Sequence, residues 1–83
     1  MLAFKIQFEK IHPNFFKRLA DDFPKLTDHD LKYCAYIRLN MSTQDISNLL
    51  YIEKKSVEMS KYRIKKKLGL SKDQRLSEFL RNI

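Results

Sequence analysis

The sequence predicts an all-α fold, and three features carry that expectation. One glycine and two prolines among 83 residues leave little of the turn chemistry that a many-stranded protein needs. Apolar residues recur at three- and four-residue spacing along most of the chain. Ser, Thr and Asp stand ahead of several of these runs, at the positions that cap helix N-termini.

The first segment holds Leu2, Phe4, Ile6 and Phe8 in an alternation that would suit a strand, but no second strand is available to pair with it. Phe4, Phe8 and Ile11 also satisfy helix spacing, and helix is the reading adopted. His12-Pro13-Asn14 interrupts it, because proline lacks an amide donor and biases the residue before it away from helix. A second helix is expected from Asn14 to about Asp22, with Phe15, Phe16, Leu19 and Phe23 on one side and Pro24 ending it.

Thr27-Asp28-His29-Asp30 has the spacing of a capping box, with Asp30 in place of the usual glutamate. It should open a helix from Asp28 to about Leu39 that buries Leu31, Cys34, Ala35 and either Ile37 or the stem of Arg38. Ser42 or Thr43 should cap the next helix, which runs to Leu50 and carries Asp45 where a negative charge suits the helix dipole. Ile46, Leu49 and Leu50 are expected to face inward. A 14-residue amphipathic stretch follows from Lys54 to Lys67, with Val57, Ile64 and Leu68 on one stripe. Leu68-Gly69-Leu70 should end it through a left-handed glycine. Ser71-Lys72-Asp73-Gln74 reads as another capping box, starting a last helix whose stripe is Leu76, Phe79, Leu80 and Ile83.

A chain this short buries only about 60 to 65% of its unfolded surface, so no separate catalytic domain fits within it. No apolar run approaches the roughly 18 residues of a transmembrane helix. Met1 to Lys10 carries Lys5, Glu9 and Lys10 and has no small-residue cleavage site, so it does not read as a signal peptide, and a cytoplasmic location is expected. The lone cysteine, Cys34, cannot form an intrachain disulfide and is expected in the core. His12, His29 and Cys34 lie in separate segments without metal-ligand spacing, and no nucleophile and base stand together. Neither enzyme activity nor a metal or other cofactor is expected.

The charge is concentrated. The formal net charge is +7, and Lys54, Lys55, Lys61, Arg63, Lys65, Lys66 and Lys67 set against Glu58 give +6 between Lys54 and Lys67 alone. Two lysines at a helix start oppose the dipole, which an anion such as a phosphate would relieve. Lys65, Lys66 and Lys67 suit a last helical turn on dipole grounds alone, so helix stability accounts for part of that cluster. A basic amphipathic helix preceded by a shorter helix and a tight turn is an arrangement that lays one helix in a DNA groove. Basic amphipathic helices also serve in protein-interaction modules and at anionic membranes, where the apolar stripe must be free to leave the core.

From Leu26 to Leu70 the chain resembles the helix-turn-helix domain of the GerE/LuxR-type bacterial transcription regulators. The residues that carry the resemblance are Leu26-Thr27, Met41-Ser42, Asp45-Ile46, Leu50-Tyr51-Ile52, Ser56-Val57, Ile64 and Lys67-Leu68-Gly69. Asn40 replaces the usual glycine before the first helix of the motif, and Ser47 replaces an alanine. Ser56-Val57-Glu58 and Ser60 depart from the family's common Thr-Val-Lys and histidine, so its base preference does not carry over. A sigma-factor-like promoter reader shares the same helix spacing.

The resemblance implies a four-helix unit over about 26–83, preceded by a helical extension over 1–25 that packs on it. It implies sequence-specific binding of double-stranded DNA as the output domain of a larger bacterial transcription regulator. On that reading Ser42, Thr43, Gln44, Lys54, Lys55, Ser56, Arg63 and Lys66 would contact the phosphate backbone. Glu58, Met59 and Tyr62 would face base edges, where glutamate accepts from cytosine and apolar groups pack on a thymine methyl. A structural role is open for each, Met59 as a gap-filler, Tyr62 on the domain's own surface and Glu58 paired with Lys54, Lys55 or Lys61. Leu76, Phe79, Leu80 and Ile83 form a face for which the chain's own core and a second copy compete, so a monomer, or a homodimer weaker than about micromolar that pairs on DNA, is expected. No membrane partner is expected.

Overall fold

The computed structural model describes residues 2–83, so Met1, the first residue of the 1–25 extension, lies outside the described residues. Over the described residues the fold is all-α, with six helices in the order α1 (Leu2–Ile11), α2 (Phe15–Asp22), α3 (Asp28–Arg38), α4 (Thr43–Leu50), α5 (Lys54–Lys67) and α6 (Leu76–Arg81). No described residue is in a strand. None of the described helices is long and apolar enough to cross a membrane.

Helix α3 is the axis of the molecule. Tyr33, Cys34, Ala35, Tyr36 and Ile37 are all buried, because α2, α5 and α6 pack around it and Phe4 of α1 brings its ring to 5.4 Å from that of Tyr36. Sequence periodicity finds Cys34 and Ala35, leaves Ile37 open against the stem of Arg38, expects more burial of Leu31 than its partly buried place, and passes over the two tyrosines, whose hydroxyls mark them as half-polar. Tyr33 is fully buried and its hydroxyl has no hydrogen-bond partner among the described residues. Burial pushes the Cys34 thiol up to about 12, with the charge of Asp30 adding to the effect, so the cysteine is an unreactive core residue.

The 1–25 extension shares this core. Phe8, Phe15, Phe16 and Leu19 join one continuous cluster with Val57, Ile64 and Leu80. Phe8 meets Phe15 edge-on at 5.1 Å, and Asn14 makes the break between α1 and α2 in the left-handed conformation that asparagine tolerates.

Both capping boxes at Thr27 and Ser42 form in full, with reciprocal bonds between Thr27 and Asp30 and between Ser42 and Asp45 at 2.9 to 3.1 Å. Asn40 takes the left-handed conformation (φ 63°) in the turn between α3 and α4, as its place in the sequence suggested. Gly69 does the same after α5 (φ 73°), and Leu70 N–H donates back to Lys65 C=O at 3.0 Å. A Cβ at Gly69 would meet nothing within 4 Å, so the requirement for glycine there is conformational alone.

Two expectations are corrected. Leu49 does not face inward but is half exposed, and Ser47 takes the buried position instead. The reason is the turn after α4, where Ser47 Oγ donates to Ile52 C=O at 2.6 Å and Ile52 N–H returns a bond to Ser47 C=O, drawing the Ser47 side of α4 inward. The Ser71 box does not start the last helix. Gln74 N–H bonds the Ser71 carbonyl rather than its hydroxyl, leaving a turn held by Gln74 Oε1 on Ser71 N–H, and α6 begins only at Leu76 with Arg75 as its cap.

Asp30 has a second role. Besides closing its capping box it forms the ion pair with Lys67 that ties the start of α3 to the end of α5. Burial acts to raise its pKa, but the Lys67 bond and the two Thr27 bonds outweigh that and hold the carboxyl below its usual value. A depressed carboxyl contributes stability above its unfolded value, near pH 4, that is lost as pH falls through the folded value. Asp30→Asn should therefore cost about 1.5 to 3 kcal/mol at neutral pH, the range for a bond to a charged group. Urea titrations should show this difference shrinking below about pH 4. A gap that stays constant down to pH 2 would rule the ion pair out as its source.

Candidate functional site

The basic helix α5 buries Val57, Ser60, Ile64 and, just after its end, Leu68. These positions fix what the helix can present. At 3.6 residues per turn, the stripe opposite them is Lys55, Met59, Tyr62 and Lys66, spaced i, i+4, i+7 and i+11, and all four are exposed. Met59 and Tyr62 are more than half exposed. Glu58 flanks this stripe on one side and Arg63 on the other, both exposed. Ser60, by contrast, points into the protein, where its hydroxyl receives Arg63 Nη2 at 3.2 Å.

The cations divide into two groups. Lys67 is held by Asp30, and Lys61 is half buried with its ammonium donating to Thr43 Oγ1 at 2.9 Å, so these two work within the fold. Burial lowers the Lys61 pKa, with the charge of Glu58 acting in the opposite sense. Lys54, Lys55 and Arg63 reach solvent, as does Lys66, whose ammonium stands 4.8 Å over the Tyr62 ring in a cation–π contact. Lys65 is half buried and reaches the Lys72 carbonyl at 3.4 Å.

At the start of α5 the charge of Glu53 offsets only part of the dipole conflict that Lys54 and Lys55 create. Glu53 occupies the cap position without a side-chain hydrogen bond, so the first-turn amides have no side-chain acceptor, and Lys54, Lys55 and Ser56 surround them exposed. The start of α4 is less open to an anion. Ser42 Oγ is the acceptor of its own cap, Gln44 Nε2 donates to Asn48 Oδ1 at 2.8 Å, and the Asp45 carboxylate adds a negative charge there. The Asp45 pKa is lowered first by the Ser42 amide and then by its hydroxyl.

The turn joining α4 to α5 carries a feature that the sequence did not announce. Tyr51 is left-handed (φ 57°) and 94% exposed, although the conformation costs a side-chain-bearing residue about 1 to 2 kcal/mol. Leu49 and Ile52, on either side of it, are exposed as well.

The face expected to pair two copies is largely occupied by the chain's own core. Leu80 is fully buried and Leu76 is buried, while Phe79 packs edge-on against Phe23 at 5.9 Å and Ile83 rests half-buried against the core. Among the described residues no group of three His, Cys, Asp or Glu side chains could hold a metal ion. No family model matches the chain, and neither do any curated protein or solved structure.

Proposed function

We propose that this domain binds double-stranded DNA by laying α5 in the major groove, as the output domain of a bacterial transcription regulator acting in the cytoplasm. The observation that carries the reading is the outward stripe Lys55, Met59, Tyr62 and Lys66, backed by a buried face that cannot turn away. Lys54, Lys55, Ser56, Arg63 and Lys66 supply the backbone contacts, and the α5 amides left uncapped add donors beside Lys54 and Lys55. Ser42, Thr43 and Gln44 take a lesser part, since Asp45 and their own bonds compete with phosphate. Met59 and Tyr62 read thymine methyl groups, and Glu58 accepts from a cytosine amino group at the edge of the contact. Pairing of two copies is weak and depends on DNA holding them together.

The protein-interaction or membrane-surface alternative requires the apolar stripe of α5 to leave the core. Val57 and Ile64 are fully buried, so releasing them would dismantle the fold that presents the cations. A sigma-factor-like promoter reader would use the same surface and differs in its target, which selection from random duplexes identifies.

Positioning and reading separate by mutation. Lys66→Ala should weaken all duplexes alike and reduce the salt slope by about one unit, whereas Glu58→Ala or Tyr62→Ala should relax preference at particular base pairs by about 1 to 3 kcal/mol. Binding titrations against the selected duplex and its single-base variants measure both. A uniform loss from the Glu58 or Tyr62 substitution would remove that residue from the reading surface.

A further inference from the structure

A cleft of about 380 Å³ opens where the end of α3, the turn into α4, the middle of α5 and the start of α6 meet. Its apolar lining is Ile37, Met41 and Leu76, and Asn40 and Ser77 add neutral polar groups. Two cations, Lys61 and Arg75, complete it, and none of its lining residues is acidic. The size falls at the lower end of small-molecule pockets, which run from about 300 to 1,000 Å³.

The cations have no close partner within the fold: the Glu58 carboxylate acts on the Lys61 charge only from beyond ion-pair distance, and burial outweighs it. Lys61 is half buried, and its hydrogen bond to Thr43 uses one of the three donors that an ammonium carries. Among the described residues no carboxylate lies within ion-pair distance of Lys61 or Arg75, and the Arg75 guanidinium makes no side-chain hydrogen bond. Partial desolvation of the Lys61 charge is unfavourable without a counter-ion, and burial already lowers its pKa. An incoming anion would supply what the fold does not. Ile37, Met41 and Leu76 offer no hydrogen bonds to the rest of the ligand, so an anion with an apolar body uses more of the lining than a bare oxyanion, which could meet only the two cations, Asn40 and Ser77.

We propose that this cleft binds a small organic carboxylate, its carboxyl group at Lys61 and Arg75 and its apolar body against Ile37, Met41 and Leu76. Such a ligand would bear on the helix pair itself, since it would share the ammonium that ties α5 to Thr43 at the start of α4.

Octanoate, octanamide and inorganic phosphate serve as probes, added separately to the isotope-labelled full chain without DNA and followed by amide chemical shifts. Saturable shifts at Ile37, Met41, Leu76 and Ser77 are expected with octanoate. Octanamide should bind at least tenfold more weakly, and Arg75→Glu, a change at an exposed position, should weaken octanoate by at least tenfold. Equal binding of octanamide would reduce the cleft to an apolar hole and overturn the proposal. So would phosphate binding as well as octanoate at the same residues, or octanoate shifts confined to the exposed lysines of α5. Because DNA is absent, a failure here leaves the groove-binding reading untouched, and a failure of that reading leaves these outcomes intact.

Discussion

Affinity for a duplex should fall roughly 150- to 500-fold between about 50 and 200 mM salt, as expected if four or five phosphates are neutralised at a slope of about −0.9 each. The count comes from the separation of the seven α5-region cations by environment. Lys67 is paired with Asp30 and Lys61 is half buried on Thr43, which leaves Lys54, Lys55, Arg63 and Lys66 in solvent and Lys65 at the margin. Titrating one duplex at several salt concentrations gives the slope directly, with about −3.6 to −4.5 expected. A slope near −6 would mean that the two internal cations are also recruited, which requires the Asp30 pair to open. Absence of binding at low salt would end the DNA reading.

The second large effect concerns Leu80, which lies at the centre of the stripe that α6 could have offered to another copy. It is fully buried within one chain, so Leu80→Ala should cost about 2 to 5 kcal/mol through lost burial and the cavity left behind. At about 0.05 to 0.15 kcal/mol per residue a domain of this size holds only about 4 to 12 kcal/mol in total, so the variant should lose a large fraction of its stability. Urea unfolding at low protein concentration tests this, with a lowered midpoint and an unchanged slope expected. An unchanged midpoint for the isolated chain, together with a lost pairing on DNA, would place Leu80 in an interface instead. Phe79 and Ile83 keep some exposure on the same helix and are the better positions for probing pairing without unfolding the domain.

The two effects draw on different parts of one helix set. The cations of α5 gain an orientation only because Val57 and Ile64 are clamped against α3, and α6 closes the other side of that helix. Loss of Leu80 should therefore weaken binding indirectly, by lowering the folded fraction, and DNA in excess should recover part of the stability.

The amino-acid sequence by itself determined the all-α class, the order of the helices and the ends set by local chemistry. Thr27 with Asp30, Ser42 with Asp45, Asn40 and Gly69 act through bonds and dihedrals within a few residues, so their consequences need no knowledge of the rest of the chain. The orientation of α5 was legible too, because Val57, Ile64 and Leu68 leave one consistent face for burial. What surrounds a helix is decided elsewhere. Only the tertiary structure encloses α3 with Tyr33 and Tyr36, turns Ser47 inward in place of Leu49, and delays α6 to Leu76. It also decides which cations remain outside, since Lys67 meets Asp30 across 37 residues and Lys61 meets Thr43 across 18. Periodicity registers the hydrophobicity of each residue, whereas burial and charge pairing depend on how many neighbours approach from other segments, and those contacts exist only once the helices have packed.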